Sequence, residues 1–173
     1  MNASVLLIVV DNLRPELGCY GASPAVTPEI DAFASTAVQF SRTYCALAWC
    51  SPSRNSFLTG LRPDRTRTYG FRDDFREANP DAVTLPGLFK NAGYRTIAFG
   101  KVFHPGHPKD FDYPASWSEP PIDPRKPPCP GDAMACSFAP GELFDADANT
   151  TDRALAELPR LASAPHFLAV GLQ

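Results

Sequence analysis

Hydrophobic residues occur along this chain in two patterns, as continuous runs and at helical spacing. Three short runs rich in β-branched and aromatic residues predict strands, of which the first is continuous enough to be buried on both faces, as in a parallel sheet. They are Val5–Val10, Tyr94–Phe99 and His166–Leu172. Helical patterns separate them. The alternation of strands and helices predicts an α/β fold with a mainly parallel sheet flanked by helices.

Four helices are predicted from capping residues and prolines at their starts and from apolar residues at helical spacing. Their predicted ranges are residues 27–38, 51–60, 84–91 and 151–162. Gly60 and Gly93 are expected to close the second and third, and Pro159 should kink or shorten the fourth. Two further segments are less regular: Val38–Tyr44 is predicted as a short strand and Arg62–Asp81 as a charged surface loop.

Polar residues follow the first two predicted strands. Asp11 and Asn12 come directly after the first, and Lys101 follows the second. In open parallel sheets, ligands collect outside the carboxyl ends of the strands. We therefore expect Asp11 and Lys101 to lie where a ligand binds.

Composition and charge exclude several classes of protein. The chain has 173 residues, of which 44% are hydrophobic and 20% charged, enough apolar material for a core. Its formal net charge of -3 and its lack of a polybasic run argue against binding to nucleic acid or an anionic membrane. The longest apolar run, Val5–Val10, is far shorter than the roughly 20 residues of a membrane span. Because no basic residue precedes it, we interpret it as a strand and not as a signal peptide, and the cellular location stays open.

Cysteine and proline usage adds two expectations. The five cysteines are too sparse for a disulfide scaffold and lack the paired spacing of a zinc site. Cys129 and Cys136 are expected either to pair in an oxidising compartment or to stay free in a cytosolic one. They lie in a proline-rich excursion, residues 105–141, which contains ten of the 19 prolines and is predicted to be irregular.

The segment Cys50-Ser51-Pro52-Ser53-Arg54 carries the strongest chemical signal. It places a thiol at a predicted helix N-terminus with a cation one turn later. Both features favour an anionic sulfur or a bound anion, so a reactive thiol or an oxyanion site is expected. A buried, inert Cys50 and a solvated Arg54 are the competing interpretation of these residues taken alone.

This segment, with Leu58-Thr59-Gly60 after it, resembles the signature of the type I sulfatase family, in which the cysteine is converted to formylglycine. Further matches are Val9-Val10-Asp11, Leu61-Arg62-Pro63-Asp64 and Gly100-Lys101-Val102-Phe103-His104-Pro105-Gly106. The last match, with Ser116-Trp117-Ser118, is similar to the iduronate-2-sulfatase branch. The resemblance implies the alkaline phosphatase-like fold of sulfatases. Residues 1–173 are then expected to be the N-terminal part of a truncated catalytic domain that is inactive alone.

The resemblance also implies an activity and residue roles. The implied substrate is a sulfated sugar, a 2-sulfate ester on a uronic acid of a glycosaminoglycan or similar polysaccharide. Cys50, converted by a formylglycine-generating enzyme, would supply a hydrated aldehyde, a diol, whose hydroxyl attacks sulfur. Arg54 would stabilise this diol. Lys101 would bind the sulfate, and His104 would form a hydrogen bond to the diol and assist its deprotonation. These four residues are the predicted catalytic set.

For the metal, the resemblance implies one Ca2+ with Asp11, Asn12 and residue 50 among its ligands. The family usually has two aspartates where this chain has Asp11-Asn12. The amide oxygen of Asn12 can coordinate calcium, but the site loses one negative charge, and calcium affinity depends on ligand charge. The family's other ligands come from beyond the last predicted strand, so we expect these residues alone to bind calcium poorly.

Two alternatives stay open. In the first, a metal-dependent enzyme of the same fold hydrolyses phosphate or phosphonate esters with an unmodified Cys50. In the second, the chain is a catalytically inactive anion-binding protein in which Asn12 has replaced an aspartate. The chemical state of position 50 separates both alternatives from a sulfatase.

Overall fold

The computed structural model describes residues 3–22, 25–122 and 146–173. They belong to two compact units, the larger formed by Met1–Asp11 with Ala46–Gln173 and the smaller by Asn12–Cys45. The predictions for Cys129 and Cys136, and for the proline-rich excursion from residue 123 onward, lie outside the described residues.

Three parallel strands form the sheet of the larger unit, in the order β1-β3-β2. They are β1 (Val5–Val10), β2 (Arg95–Gly100) and β3 (His166–Leu172). The central strand β3 pairs with both others, so that Ala169 lies opposite Leu7 on one side and Ala98 on the other. The predicted α/β class with a parallel sheet is confirmed, and β2 begins one residue later than predicted.

The two outer strands are covered differently. In β2 every residue after Arg95 is buried. In β1 the burial alternates: Val5 and Leu7 pack against the core, whereas Leu6 and Ile8 are each 57% exposed. The prediction that the first strand is buried on both faces is wrong, because among the described residues only one face of β1 meets the core.

Two apolar clusters pack against the sheet. Successive side chains of a strand point to opposite faces, so neighbours in β3 join different clusters. Phe167 and Ala169 lie in the first with Leu58, whereas Leu168 and Val170 lie in the second. The other buried members of the first cluster are Phe75, Ala98, Val102, Phe103 and Trp117, and those of the second are Ile97, Phe99, Ala154 and Leu161.

Six helices occur in the described residues, and none is long and apolar enough to span a membrane. They are α1 (Pro28–Ala34), α2 (Cys50–Thr59), α3 (Pro63–Thr66), α4 (Phe75–Ala78), α5 (Leu85–Asn91) and α6 (Ala146–Leu161). Gly60 closes α2 with a φ of 70°, and the Thr84 hydroxyl caps α5 by accepting from the Gly87 N–H. The last helix begins at Ala146, earlier than predicted, and Pro159 lies within its final turn.

The segment Arg62–Asp81, predicted as a surface loop, is partly buried. It contains α3 and α4, and Thr66, Thr68 and Phe75 are fully inaccessible to solvent. The surface-loop prediction is wrong because each helix is only four residues long, too short to show a period in the sequence.

The smaller unit is organised around α1. The Asp31 carboxylate accepts from the Cys19 backbone N–H at 2.7 Å and from the Thr27 hydroxyl at 3.0 Å. These bonds tie a 3-10 turn, Gly18–Tyr20, to the helix.

Two predictions for this unit are wrong. The first helix ends at Ala34 and does not continue to Val38. The segment Val38–Tyr44 is described throughout and forms no strand. Its apolar residues Val38, Phe40 and Tyr44 are exposed, and no strand pairs with it, so its β-propensity has nothing to pack against.

Candidate active site

The candidate site lies at the carboxyl end of the sheet. Asp11 directly follows β1 and Lys101 directly follows β2. The backbone of each is hydrogen-bonded to the central strand β3. The Asp11 N–H donates to the Leu172 carbonyl at 3.0 Å, and the Lys101 N–H donates to the Gly171 carbonyl at 2.8 Å. The structure therefore brings Asp11 and Lys101 together, and their side chains form an ion pair.

Two glycines allow this close backbone approach. A Cβ atom on Gly171 would lie 2.1 Å from the carbonyl oxygen of Lys101, and one on Gly100 would lie 2.1 Å from that of Gly171. Gly100 also has a φ of 72°, a conformation that side chains disfavour. The absence of side chains at both positions sets the distance between β3 and Lys101.

Helix α2 supplies the next two groups, because Cys50 is its first residue and Arg54 lies one turn later. Arg54 is 3% exposed, and its guanidinium donates to Asp11 Oδ1 at 2.9 Å, to the Val102 carbonyl at 3.0 Å and to the Lys101 carbonyl. It is therefore a buried cation that joins the end of β1 to the chain after β2. The interpretation of Arg54 as a solvated surface charge is wrong.

Two cations share the carboxylate of Asp11, since Arg54 binds Oδ1 and Lys101 binds Oδ2. Burial raises the pKa of Asp11, but the hydrogen bonds and positive charges of Lys101 and Arg54 outweigh it and hold that pKa below its usual value. The carboxylate is ionised at neutral pH. The cluster therefore has one positive charge in excess of its negative charge.

The imidazole of His104 faces the start of α2. Its Nδ1 lies 3.4 Å from Cys50 Sγ. Burial and the nearby charges of Lys101 and Arg54 lower the pKa of His104, so its ring is neutral at neutral pH. A neutral ring nitrogen can accept a proton from a group at position 50.

An aromatic pair covers one face of this imidazole. Phe71 stacks on His104 with ring centroids 4.7 Å apart and an interplanar angle of 17°. Trp49, the residue before α2, meets Phe71 edge-on at 5.0 Å.

The predicted site residues fall into two groups. Five of them form one cluster in the larger unit: Asp11, Cys50, Arg54, Lys101 and His104. Asn12, the sixth, begins the smaller unit and has a φ of 54°.

The sequence analysis missed Trp49 and Phe71. The position of Trp49 beside Cys50 was a usable signal, whereas nothing local to Phe71 points to a histidine 33 positions away.

The described residues do not by themselves fit calcium. Within the described ranges, no group of three or more His, Cys, Asp or Glu side chains could hold a metal ion. Asp11 is the carboxylate of the cluster, and both of its oxygens already accept from cations. Calcium takes about 6–8 oxygen ligands, so its binding here needs further oxygens and a rearranged Asp11.

Comparison with known proteins identifies the family. A family model described as Sulfatase matches residues 3–173. The chain belongs to the sulfatase family. It is 41% identical over 187 residues to the iduronate 2-sulfatase of Mus musculus, an alignment that covers 97% of this chain and 34% of that relative. The chain thus spans about a third of the length of the curated relatives it matches.

Solved structures show the same fold for this sulfatase chain. A 2-O GAG sulfatase is similar with a TM-score of 0.65 and 24% identity, covering 98% of this chain and 34% of its own. The phosphonate monoester hydrolase of Agrobacterium radiobacter has a TM-score of 0.72 and 20% identity, covering 99% and 40%. Likeness at this identity shows the fold alone. The expected alkaline phosphatase-like fold, with an open parallel sheet flanked by helices, is confirmed.

Proposed function

We propose that this sulfatase hydrolyses 2-sulfate esters on uronic acid residues of sulfated glycosaminoglycans or similar polysaccharides. The observation that carries the proposal is the pair of cations, Arg54 and Lys101, that shares the carboxylate of Asp11 near His104, the residue that contacts Cys50. A sulfate ester is anionic, so it needs compensating positive charge and an activated nucleophile. The 41% identity to an iduronate 2-sulfatase supports this substrate class.

Each side chain of the cluster has a proposed task. Lys101 binds a sulfate oxygen with the positive charge that Asp11 leaves uncompensated. Arg54, fixed by two backbone carbonyls and Asp11, holds the group at position 50 in place. His104 accepts a proton at Nδ1 from that group. Formylglycine at position 50, once formed, supplies the hydrated aldehyde whose oxygen attacks sulfur and displaces the sugar alcohol.

The extent of the domain and its cofactors also belong to the proposal. Residues 1–173 form the N-terminal part of the catalytic domain, which the 34% coverage of the mouse relative supports. A formylglycine-generating enzyme is the partner that modifies Cys50. Calcium is the proposed metal, with Asp11 and residue 50 among its ligands. The role of Asn12 stays a prediction.

The test is the chemical state of position 50 after coexpression with a formylglycine-generating enzyme. Conversion replaces the sulfur and two hydrogens of the side chain by one oxygen, which mass spectrometry of the tryptic peptide detects. Because that peptide also contains Cys45, the matched variant Cys45→Ala assigns the change to Cys50, and Cys50→Ala should abolish it. A thiol that stays unconverted would remove the nucleophile and contradict the proposal.

A second candidate function rests on the thiol itself. The 3.4 Å contact between Cys50 Sγ and His104 Nδ1 is a thiol–imidazole pair that an unmodified enzyme could use on phosphate or phosphonate esters. Protein expressed from its complete gene separates the two functions. Release of sulfate from a 2-sulfated uronic acid disaccharide supports the first function. Hydrolysis of an aryl phosphonate monoester by unconverted protein supports the second, and no hydrolysis of either supports an inactive anion-binding protein.

A further inference from the structure

The orientation of the His104 ring is set in an unusual way. Among the described residues, the one hydrogen-bond partner of the ring is Cys50, through Nδ1. The ring plane of a functional histidine is usually fixed by a hydrogen bond from its other nitrogen to a carboxylate or carbonyl group. Here the described residues offer Nε2 no such partner, so packing has to fix the plane.

Phe71 provides that packing. Its ring lies nearly parallel to the imidazole, at 17°, with the centroids 4.7 Å apart. Trp49 stands edge-on behind Phe71 at 85° and limits its rotation. Stacked and edge-on arrangements are both favourable for aromatic rings, and each restricts rotation about the side-chain bonds.

The backbone that carries Phe71 is itself fixed. The Asp73 carboxylate accepts from the backbone N–H groups of Tyr69 at 2.8 Å and Gly70 at 2.9 Å, which closes a tight turn around Phe71. Just beyond the turn, Phe75 is fully buried against Phe103, with ring centroids 6.1 Å apart. Because Phe103 precedes His104 in sequence, this contact links the two segments that carry the stacked rings.

A second link holds the chain on the other side of His104. Arg76 binds Asp112 through two parallel bonds, Nε to Oδ1 at 2.6 Å and Nη2 to Oδ2 at 2.7 Å. The Asp74 carboxylate also accepts from the Lys109 N–H at 3.1 Å. The segment from Phe71 to Arg76 therefore contacts the chain both before and after His104.

We propose that Phe71 is a positioning residue, which fixes the plane of the His104 imidazole so that Nδ1 stays directed at the reacting group of position 50. The proposed consequence for catalysis rests on the proposed sulfatase function, whereas the orientation itself does not. Phe71 acts through His104, and its loss changes the rate of the chemical step more than the binding of substrate. A misplacement of about 1 Å in such a group can slow a reaction about 100-fold.

The first experiment measures the orientation of the His104 ring by NMR in protein expressed from its complete gene. In Phe71→Leu, which keeps apolar bulk but removes the ring, the His104 ring protons should lose the upfield shift caused by stacking and their cross-peaks to Cys50. Phe71→Tyr should keep both, because Phe71 is 42% exposed and a hydroxyl on its ring can reach solvent. The matched control is Tyr69→Leu, which removes another exposed aromatic ring of the same turn and should leave both signals unchanged.

The second experiment measures kcat and KM for a 2-sulfated uronic acid disaccharide with protein expressed from its complete gene. Phe71→Leu should lower kcat by about 10- to 100-fold with little change in KM, and Phe71→Tyr should restore it. Unchanged cross-peaks between His104 and Cys50 in Phe71→Leu would overturn the proposal, as would an unchanged kcat in an active enzyme. If the wild-type protein cleaves no sulfate ester, the proposed function fails, and the NMR experiment alone decides whether Phe71 orients His104.

Discussion

Two largely buried Arg–Asp pairs in the larger unit, Arg54–Asp11 and Arg76–Asp112, are built from the same residue types and differ in charge balance. In the second pair both carboxylate oxygens accept from a single guanidinium, and the positive and negative charges cancel. In the first pair the two carboxylate oxygens are divided between Arg54 and Lys101, so one cation is left uncompensated.

The difference separates a structural pair from a binding site. A balanced, well-bonded pair has no capacity for a further ion, and its effect is to join two segments of chain. A cluster with an excess cation at the end of a sheet attracts an anion instead. An Arg–Asp pair therefore indicates a binding site only when a neighbouring charged residue leaves the cluster with an excess charge.

Breaking the balanced pair should have the largest effect on stability. Asp112→Asn keeps the size of the side chain but leaves Arg76 opposite a neutral group. Removing one partner of a fully buried pair costs about 3–5 kcal/mol, and because the Arg76 side chain is 22% exposed, the loss should lie at the lower end of that range. Urea unfolding followed by circular dichroism measures the loss. The control is Asp110→Asn, an exposed aspartate two positions earlier, which should change the free energy of unfolding by less than about 0.5 kcal/mol. Equal losses in the two variants would show that the pair contributes no special stability.

A smaller effect is expected from Gly171→Ala, which disturbs the unbalanced cluster without changing its charge. The new Cβ would lie 2.1 Å from the Lys101 carbonyl oxygen, so the backbone that accepts from Arg54 has to move. Overpacking of this kind costs about 1–3 kcal/mol. Chemical denaturation checks the value against Gly70→Ala, where the added Cβ meets its nearest neighbour at 3.8 Å. A Gly171→Ala chain as stable as Gly70→Ala would show that the close approach of β3 to Lys101 is not required.

The smallest expected effect, and the most direct test of the excess charge, uses inorganic sulfate as a probe. Sulfate at ten times its dissociation constant should stabilise the wild-type chain by about 1.4 kcal/mol through binding. Lys101→Met leaves a balanced Arg54–Asp11 pair and should lose that increment, whereas Lys109→Met removes an exposed lysine and should keep it. Because sulfate also stabilises proteins non-specifically, the measured quantity is the difference between variants in thermal unfolding. Equal stabilisation of all three chains would mean that the cluster does not bind the anion.

Sequence patterns predicted those parts of the molecule whose signals are local. The strand Val5–Val10 and the start of α2, predicted one residue after Cys50, depend on runs and caps within about ten residues. The signature also singled out Arg54, Lys101 and His104. In the structure His104 contacts Cys50, and Arg54 and Lys101 share the carboxylate of Asp11. The burial of β1 was not predictable in the same way, because it depends on which neighbours the strand has in the sheet and not on its own composition.

The missed features involve partners far apart in sequence. Phe71 contacts His104, and Arg76 pairs with Asp112 across 36 positions. Both lie in a segment whose charge suggested a surface loop, and no period marks its two four-residue helices. The predicted strand Val38–Tyr44 shows the converse: its β-branched and aromatic residues fit a strand, but strand formation also needs a partner with unpaired backbone groups.

The half-covered strand β1 has a consequence for how the chain behaves in concentrated solution. Among the described residues β1 pairs with β3 on one side, and its exposed face carries Leu6, Ile8 and Val10. A strand with a free edge and an apolar face is a template on which another chain can add. The unpaired edge and apolar face of β1 therefore favour association between copies of the 173-residue chain in concentrated solution.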